Sequence, residues 1–239
     1  FYDATGMKHH YSNETDNYKQ LHAQLFYDYN KRITDRNLLK VNVAGHFTRG
    51  IGYYEQYKQD KKYSKYALDN PIVGEDTIRR GDFVTRKYLD NYFYGMTFNV
   101  KQSFLKVGKK EINNQLSWSV GGGLNHYDGK HYGTIEWAQY GGVPYNYHWY
   151  DGKGDKTQFN VYGTLDYSQG RWYTYIDLQY RMINYVIAGT DDELTDIGQK
   201  YLWHFFNPKA GASVDLDKNR HHSLYPSLAP PPREPTRSH

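Results

Sequence analysis

The sequence predicts an all-β protein, an antiparallel meander of about eight strands. Three observations predict it. Apolar and polar residues alternate with a period of two in eight separate runs. The connections between runs are alternately short and long. Aromatic residues are abundant, with 27 Tyr, 10 Phe and 5 Trp in 239 residues. A period of two places successive side chains on opposite faces of a pleated strand, and no segment carries a capped 3.6-residue stripe.

The runs follow in order. In YKQLHAQLFYDYN, Leu21, Ala23, Leu25, Tyr27 and Tyr29 share a face, and Gln20, His22, Gln24 and Asp28 the other, with Phe26 an exception. In LKVNVAGHFTR, Leu39, Val41, Val43, Gly45 and Phe47 oppose Lys40, Asn42, Ala44, His46 and Thr48. In NYFYGMTFNVKQ, Tyr92, Tyr94, Met96, Phe98 and Val100 oppose Phe93, Gly95, Thr97, Asn99 and Lys101. In NQLSWSVGGGLN, Leu116, Trp118, Val120, Gly122 and Leu124 oppose a small polar set. QFNVYGTLDY sets Phe159, Val161, Gly163, Leu165 and Tyr167 against Asn160, Tyr162, Thr164 and Asp166. RWYTYIDLQYRM sets Trp172, Ile176, Leu178, Tyr180 and Met182 against Tyr173, Tyr175, Asp177, Gln179 and Arg181. FNPKAGASVDL sets Phe206, Ala210, Ala212, Val214 and Leu216 against Asn207, Lys209 and Asp215. HSLYPSLA is a weaker eighth run.

Between the runs, KRITDRN, LKVGKKE, YSQGR and LDKNRHH read as tight polar turns, and residues 50–90, 126–156 and 187–203 as long loops. Short turns at one end and long loops at the other is the plan of an outer-membrane β-barrel. The runs also match the roughly 9–11 residues that a tilted strand needs to cross a bilayer. The polar sets are rich in small neutral residues, as a lumen wall would be, and aromatics gather toward run ends, as at a membrane interface. Backbone in lipid must be fully paired, so such strands require a closed barrel.

Composition narrows the alternatives. No run approaches the roughly 20 apolar residues of a membrane-spanning helix. The net charge is only +4, from 30 basic and 26 acidic residues, which gives no sign of a nucleic-acid binder. There is no Cys, so a disulfide scaffold, a thiolate nucleophile and a Cys-ligated metal are excluded. No Ser/His/Asp set, phosphate loop or carboxylate pair stands in a catalytic context, so neither an enzyme nor a cofactor is expected.

Residues 126–156 hold the candidate ligand-binding aromatics Trp137, Tyr140, Tyr145, Tyr147, Trp149 and Tyr150, with His148 among them. Exposed, they suit a flat or sugar-like ligand at a barrel mouth; the alternative is a loop packing its own rings. His126, His131 and His148 match no zinc spacing. The Lys/Arg-rich stretch 53–90 suits an anionic ligand or a lipopolysaccharide phosphate, or else a solvated face. DDELTD lacks the spacing and glycine of a calcium loop and reads as an acidic loop tip. Lys101, Asp166, Asp177 and Arg181 are lumen-facing candidates, to line a path, pair across strands or hold a plug. SNET, with Asn13 and Thr15, matches a glycosylation acceptor that a bacterial outer membrane would not use.

Two further stretches, HFTRGIGYYEQYKQDKKYSKY (46–66) and REPTR (233–237), together with the strand plan, resemble TonB-dependent outer-membrane receptors of the Bacteroidetes type. The resemblance implies a 22-stranded barrel filled by an N-terminal plug, importing a scarce solute such as siderophore-iron, haem, cobalamin or a glycan. This chain would supply about eight strands from the middle of that barrel, without plug or closing strand. Its partners would be outer-membrane lipid, a small-molecule or glycan ligand and, through the missing plug, the TonB complex. The end 226–239 departs from the pattern through Pro226, Pro230, Pro231 and Pro232, since proline removes a ladder donor. Two rivals stay open: a passive porin-like barrel, and a soluble carbohydrate-binding β-sandwich.

Overall fold

The computed structural model describes residues 15–107, 112–217 and 221–229. Asn13, Pro230, Pro231, Pro232 and the REPTR stretch lie outside the described residues. The chain is an antiparallel meander: β1 (Thr15–Thr34), β2 (Asn37–Lys62), a 3₁₀ turn (Tyr63–Tyr66), a small hairpin of β3 (Ile72–Val73) and β4 (Asp76–Thr77), then β5 (Arg80–Val107), β6 (Ile112–Ala138), β7 (His148–Gln169), β8 (Trp172–Gly189), β9 (Gln199–Asp215), β10 (Ser223–Leu224) and β11 (Ser227–Leu228). The main sheet runs β1-β2-β5-β6-β7-β8-β9-β10, with β11 also on β9.

Register carries the seven apolar sets onto one face. Leu25 pairs with Gly45, Gly45 with Met96, Met96 with Leu124, Leu124 with Phe159 and Phe159 with Met182. Two residues along, Tyr27, Val43, Phe98, Gly122, Val161, Tyr180 and Phe206 form the next row. These rows run on β6 from Leu116 to His126, the last of them mixing His126, Thr157 and Asn184 with Ala23, Phe47, Tyr94 and Leu202. The span is about 34 Å along the strand at ~3.4 Å per residue, and about 26 Å of height at the ~40° tilt usual in membrane barrels. At the following row Arg49, Asp128, Asp155 and Lys200 appear on the same face, and the band ends.

Nothing covers this face among the described residues. Leu25 is 75% exposed, Met96 51%, Leu124 51%, Ile176 49% and Phe206 62%. An apolar patch that crosses seven strands exceeds the few hundred Å² that soluble monomers tolerate. A β-sandwich would have laid a second sheet on it.

The opposite face is a polar ladder. Ser119 and Thr164 hydroxyls share a bond of 2.6 Å, Tyr162 donates to Asn99 at 3.2 Å, and Asn207 donates to Gln179 at 3.2 Å. Beyond the apolar band this face gathers the main apolar cluster. Phe83, Ile135 and Ala138 from the sheet pack with Trp149, Tyr150, Tyr63, Tyr66 and Leu68. The segment 63–79 folds over the sheet to make it, and we call the result the cap.

The strands are longer than the alternation foretells. β2, β5 and β6 have 26, 28 and 27 residues, so β5 extends roughly 95 Å at ~3.4 Å per residue. This corrects the three long loops expected at 50–90, 126–156 and 187–203. Most of each is strand, and the true connections are 63–79, 139–147 and 190–198. Past the charged row neither face is uniformly apolar, so the period-two signal fades while the backbone ladder continues. The eighth run also needs correction. It pairs with β9, but Pro226 divides it into two two-residue strands.

The sheet does not close on itself among the described residues, because β1 and β9 are not paired with each other. Pro208 lies within β9 opposite Leu178. The Ala212 N–H points outward, to the Pro226 carbonyl. By the two-residue repeat the missing donor of Pro208 also faces outward, so the β8–β9 ladder loses no bond to it.

Candidate functional site

The candidate aromatics do not form one surface. Trp137 is in β6, not in a loop, opposite Val84 on the face away from the cap. Tyr140 is 37% exposed and its ring lies against Gly81; Tyr145 is 94% exposed. Tyr147 donates its hydroxyl to the Tyr66 carbonyl at 2.6 Å and so pins 139–147 to the 3₁₀ turn. Trp149 and Tyr150 are in β7, only 5% and 9% exposed, and are core of the cap. The reading of these two as exposed ligand platforms is therefore corrected. A register shift at Gly133/Thr134 bulges β7 there, which turns both rings toward the cap. His148 stacks on Tyr132 instead, at 4.6 Å and 15° on the outer face.

Gly133 makes room for the two rings. A Cβ there would lie 2.3 Å from Trp149 and 2.4 Å from Tyr150. Gly133→Val is expected to destabilise the cap by about 1–3 kcal/mol, the usual cost of overpacking. A lower urea midpoint with an unchanged slope would register it.

The lumen candidates all lie on the polar face. Lys101 and Asp166 line one cavity of about 290 Å³ with Ser117 and Tyr173, and Tyr173 donates to Asp166 at 2.7 Å. Asp177 is 3.7 Å from Lys209 on the next strand. Arg181 lies over the Phe205 ring at 4.8 Å. The structure thus places Lys101 and Asp166 on the wall of one cavity but gives Asp177 and Arg181 separate cross-strand partners.

Electrostatics are concentrated around the cap. On the outer face Arg86 bridges Glu55 at 2.6 Å and Glu136 at 3.0 Å, above the Tyr53 ring. Arg80 holds Asp60, whose carboxyl sits below its ordinary value because Arg80 hydrogen-bonds it. Burial pushes the Tyr66 hydroxyl up to about 12, and burial with the nearby Asp192 raises Tyr150. Among the described residues no cluster of three or more His, Asp or Glu has metal-binding geometry. Asp191 caps the Glu193 and Thr195 amides, so the acidic tip satisfies its own backbone.

Sequence inspection did not single out Lys87 and Asp192, which are joined at 2.5 Å and tie the 190–198 connection to β5. They are 105 residues apart, a separation no local pattern reveals. The Lys87 hydrogen bond lowers the Asp192 pKa from its ordinary 3.8. A depressed carboxyl pKa stabilises the folded state above that ordinary value and loses the contribution as pH falls through the folded value. Pepsin cleavage of 190–198 is therefore expected to begin only in acid below 3.8 for the native chain. With Lys87→Gln, cleavage is expected at every pH at which pepsin acts.

No protein-family model matches the chain, and no curated protein matches it.

Proposed function

We propose that this chain is part of the barrel of a TonB-dependent receptor in the bacterial outer membrane, importing a scarce solute: siderophore-iron, haem, cobalamin or a glycan. One observation carries the proposal. An uncovered apolar band, about as tall as the hydrocarbon-facing belt of a membrane barrel, crosses seven in-register strands and stops at a row of charges. Lipid is the partner that suits such a band. The polar face then lines the lumen, and the cap overhangs it from the extracellular side.

In this reading the chain works by binding and gating, without catalysis or a cofactor. Among the described residues no strand pairs with the outer edge of β1, or with the outer edge of β9 beyond the short β10 and β11, and lipid cannot satisfy backbone groups left there. Further strands must pair there, and coupling to TonB would run through a plug. A porin shares the band; the soluble sandwich does not.

The test is physical. The purified chain is expected to sediment in plain buffer and to float with phospholipid vesicles while retaining β-sheet circular dichroism. A monodisperse protein in buffer that ignores vesicles would overturn the membrane reading. Deleting the gene should slow growth on one limiting iron source or glycan and leave rich-medium growth unchanged. Unchanged growth across the whole panel would remove the import reading.

A further inference from the structure

The polar face carries a shallow groove of about 280 Å³ that crosses the sheet from β1 to β7. Four strand intervals separate its ends, roughly 19 Å at ~4.8 Å each. Ala44 and Thr97, paired on β2 and β5, make its floor. Phe26 stands at the β1 end. It is the exception in the polar set of that strand, it is 66% exposed, and among the described residues no ring packs on it. Asn160 and Tyr162 stand at the β7 end. The Tyr162 ring lies over Gly121, where a Cβ would be 2.6 Å from it, so the wall stays low there.

The polar groups along the groove are mostly neutral and partly idle. Tyr162 donates its hydroxyl to the Asn99 side-chain oxygen at 3.2 Å. The Asn99 NH₂ group, the Asn160 side chain and the Thr97 hydroxyl have no hydrogen-bond partner among the described residues. Asp28 is the one charged residue lining the groove, and it accepts a bond from Asn42.

We propose that this groove binds a linear, uncharged oligosaccharide, which selects the glycan among the solutes named above. A sugar hydroxyl both donates and accepts, and a side-chain amide does the same. Polar groups left without partners lose free energy until a ligand satisfies them. The exposed Phe26 ring adds a negative π face for the C–H row of a pyranose. A ring with polar groups spaced around it is the usual composition of a small-molecule site.

The other solutes find less here. A ferric chelate that carries negative charge meets Asp28 and no Lys or Arg in the lining. A haem iron meets no His, Cys or Met, and the one Tyr hydroxyl is engaged with Asn99. The groove is long for its volume, which suits a chain of sugar rings and not a single macrocycle. Its place on an import path rests on the receptor proposal; sugar binding by this wall does not.

The full chain is folded in micelles of a phosphocholine detergent, so that no detergent sugar competes. It is titrated with maltotriose, cellotriose, laminaritriose and xylotriose, and with citrate as the charged control. Saturation-transfer NMR reads contact and affinity. At least one trisaccharide is expected to bind saturably, and citrate is not. Phe26→Ala should weaken binding by about fivefold to tenfold, and Asn160→Ala by a similar factor. Thr97→Arg, which fills the floor, should abolish it. Absence of saturable binding by all four sugars, citrate binding as tight as theirs, or unchanged affinity in Phe26→Ala or Thr97→Arg with native circular dichroism would each overturn the groove. Phe26 is exposed and supports no neighbouring ring, so Phe26→Ala decides alone should the other variants not fold. Vesicle flotation is scored separately. Sugar binding without flotation keeps the groove and removes the receptor reading; flotation without sugar binding keeps the membrane reading and removes the groove.

Discussion

Phe98→Arg is expected to abolish association with lipid vesicles, whereas Thr97→Arg, one residue away, leaves it intact. The two positions differ only in the face they occupy. Phe98 lies in the middle of the apolar band between Val43 and Gly122, 38% exposed and with nothing over it. Thr97 lies on the polar face between Ala44 and Gly123, where small neighbours leave space for a longer side chain. Arginine at the midplane of a lipid-facing strand costs about 2–4 kcal/mol, or roughly thirty- to thousand-fold in an equilibrium. On a water-filled lumen the same group stays hydrated. Vesicle flotation with circular dichroism on the floated fraction reads both variants. Equal flotation of the two would mean that the apolar face does not meet lipid. In plain buffer the ranking should invert, with Phe98→Arg the more soluble chain. No soluble-core reading gives that inversion, since a charge buried in a protein core lowers solubility in every medium.

The same pair of residues shows why much of the fold was legible. A pleated strand repeats every two residues, so a run such as Tyr94, Met96, Phe98, Val100 fixes its own face. Register then has little freedom, because a one-residue slip would put Phe98 opposite Ala44 and reverse the face of a whole strand. All seven long strands were located by that argument alone. Their ends were not. Past Arg49 and Asp128 the outer face carries Tyr53, Tyr88, Tyr132, Glu55 and Arg86, while the inner face carries Phe83 and Ile135 under the cap. With both faces mixed, the hydrophobic period vanishes although the ladder continues.

The candidate site was less legible for a related reason. Aromatic density around Trp149 was plain, but density does not state direction. Two separate register shifts decided it: the one by Gly133 left Trp149 and Tyr150 both facing inward, and the one at Val84/Thr85 put Trp137 on the other side of the sheet. The one local cue was the three-residue spacing of Tyr63 and Tyr66, which a 3₁₀ turn brings to one side. Contacts such as Lys87 with Asp192 are set by topology and have no local signature.

The cap supplies the second large effect. Phe83→Ala is expected to open it while the apolar band stays folded. Phe83 is fully buried, with the Tyr63 ring 4.9 Å away at 67° and the Tyr66 ring 4.8 Å away. It is the sheet residue on which both rings of the 3₁₀ turn rest. Removing a buried phenyl costs about 3–5 kcal/mol, part lost transfer energy and part cavity. The hydrogen bonds that hold the 63–79 segment to itself and to the 139–147 connection include the Tyr63 amide to the Arg79 carbonyl at 3.2 Å, the Tyr63 hydroxyl to the Gly141 carbonyl at 3.1 Å and the Tyr147 hydroxyl to the Tyr66 carbonyl at 2.6 Å. Those bonds net about 1 kcal/mol each and cannot offset the loss. Hydrogen exchange in 63–79 and 139–147 should therefore accelerate by about a hundredfold or more, since 3 kcal/mol is about two decades. Amides of Val100 and Val120 should be unaffected, because their ladder lies 17 residues along β5 from Phe83 and shares no side chain with it. Phe83→Leu, which keeps most of the volume, should give a small fraction of the effect. Uniform acceleration along β5 would instead mean that cap and band unfold as one unit, and an opening confined to the cap could then no longer admit a ligand.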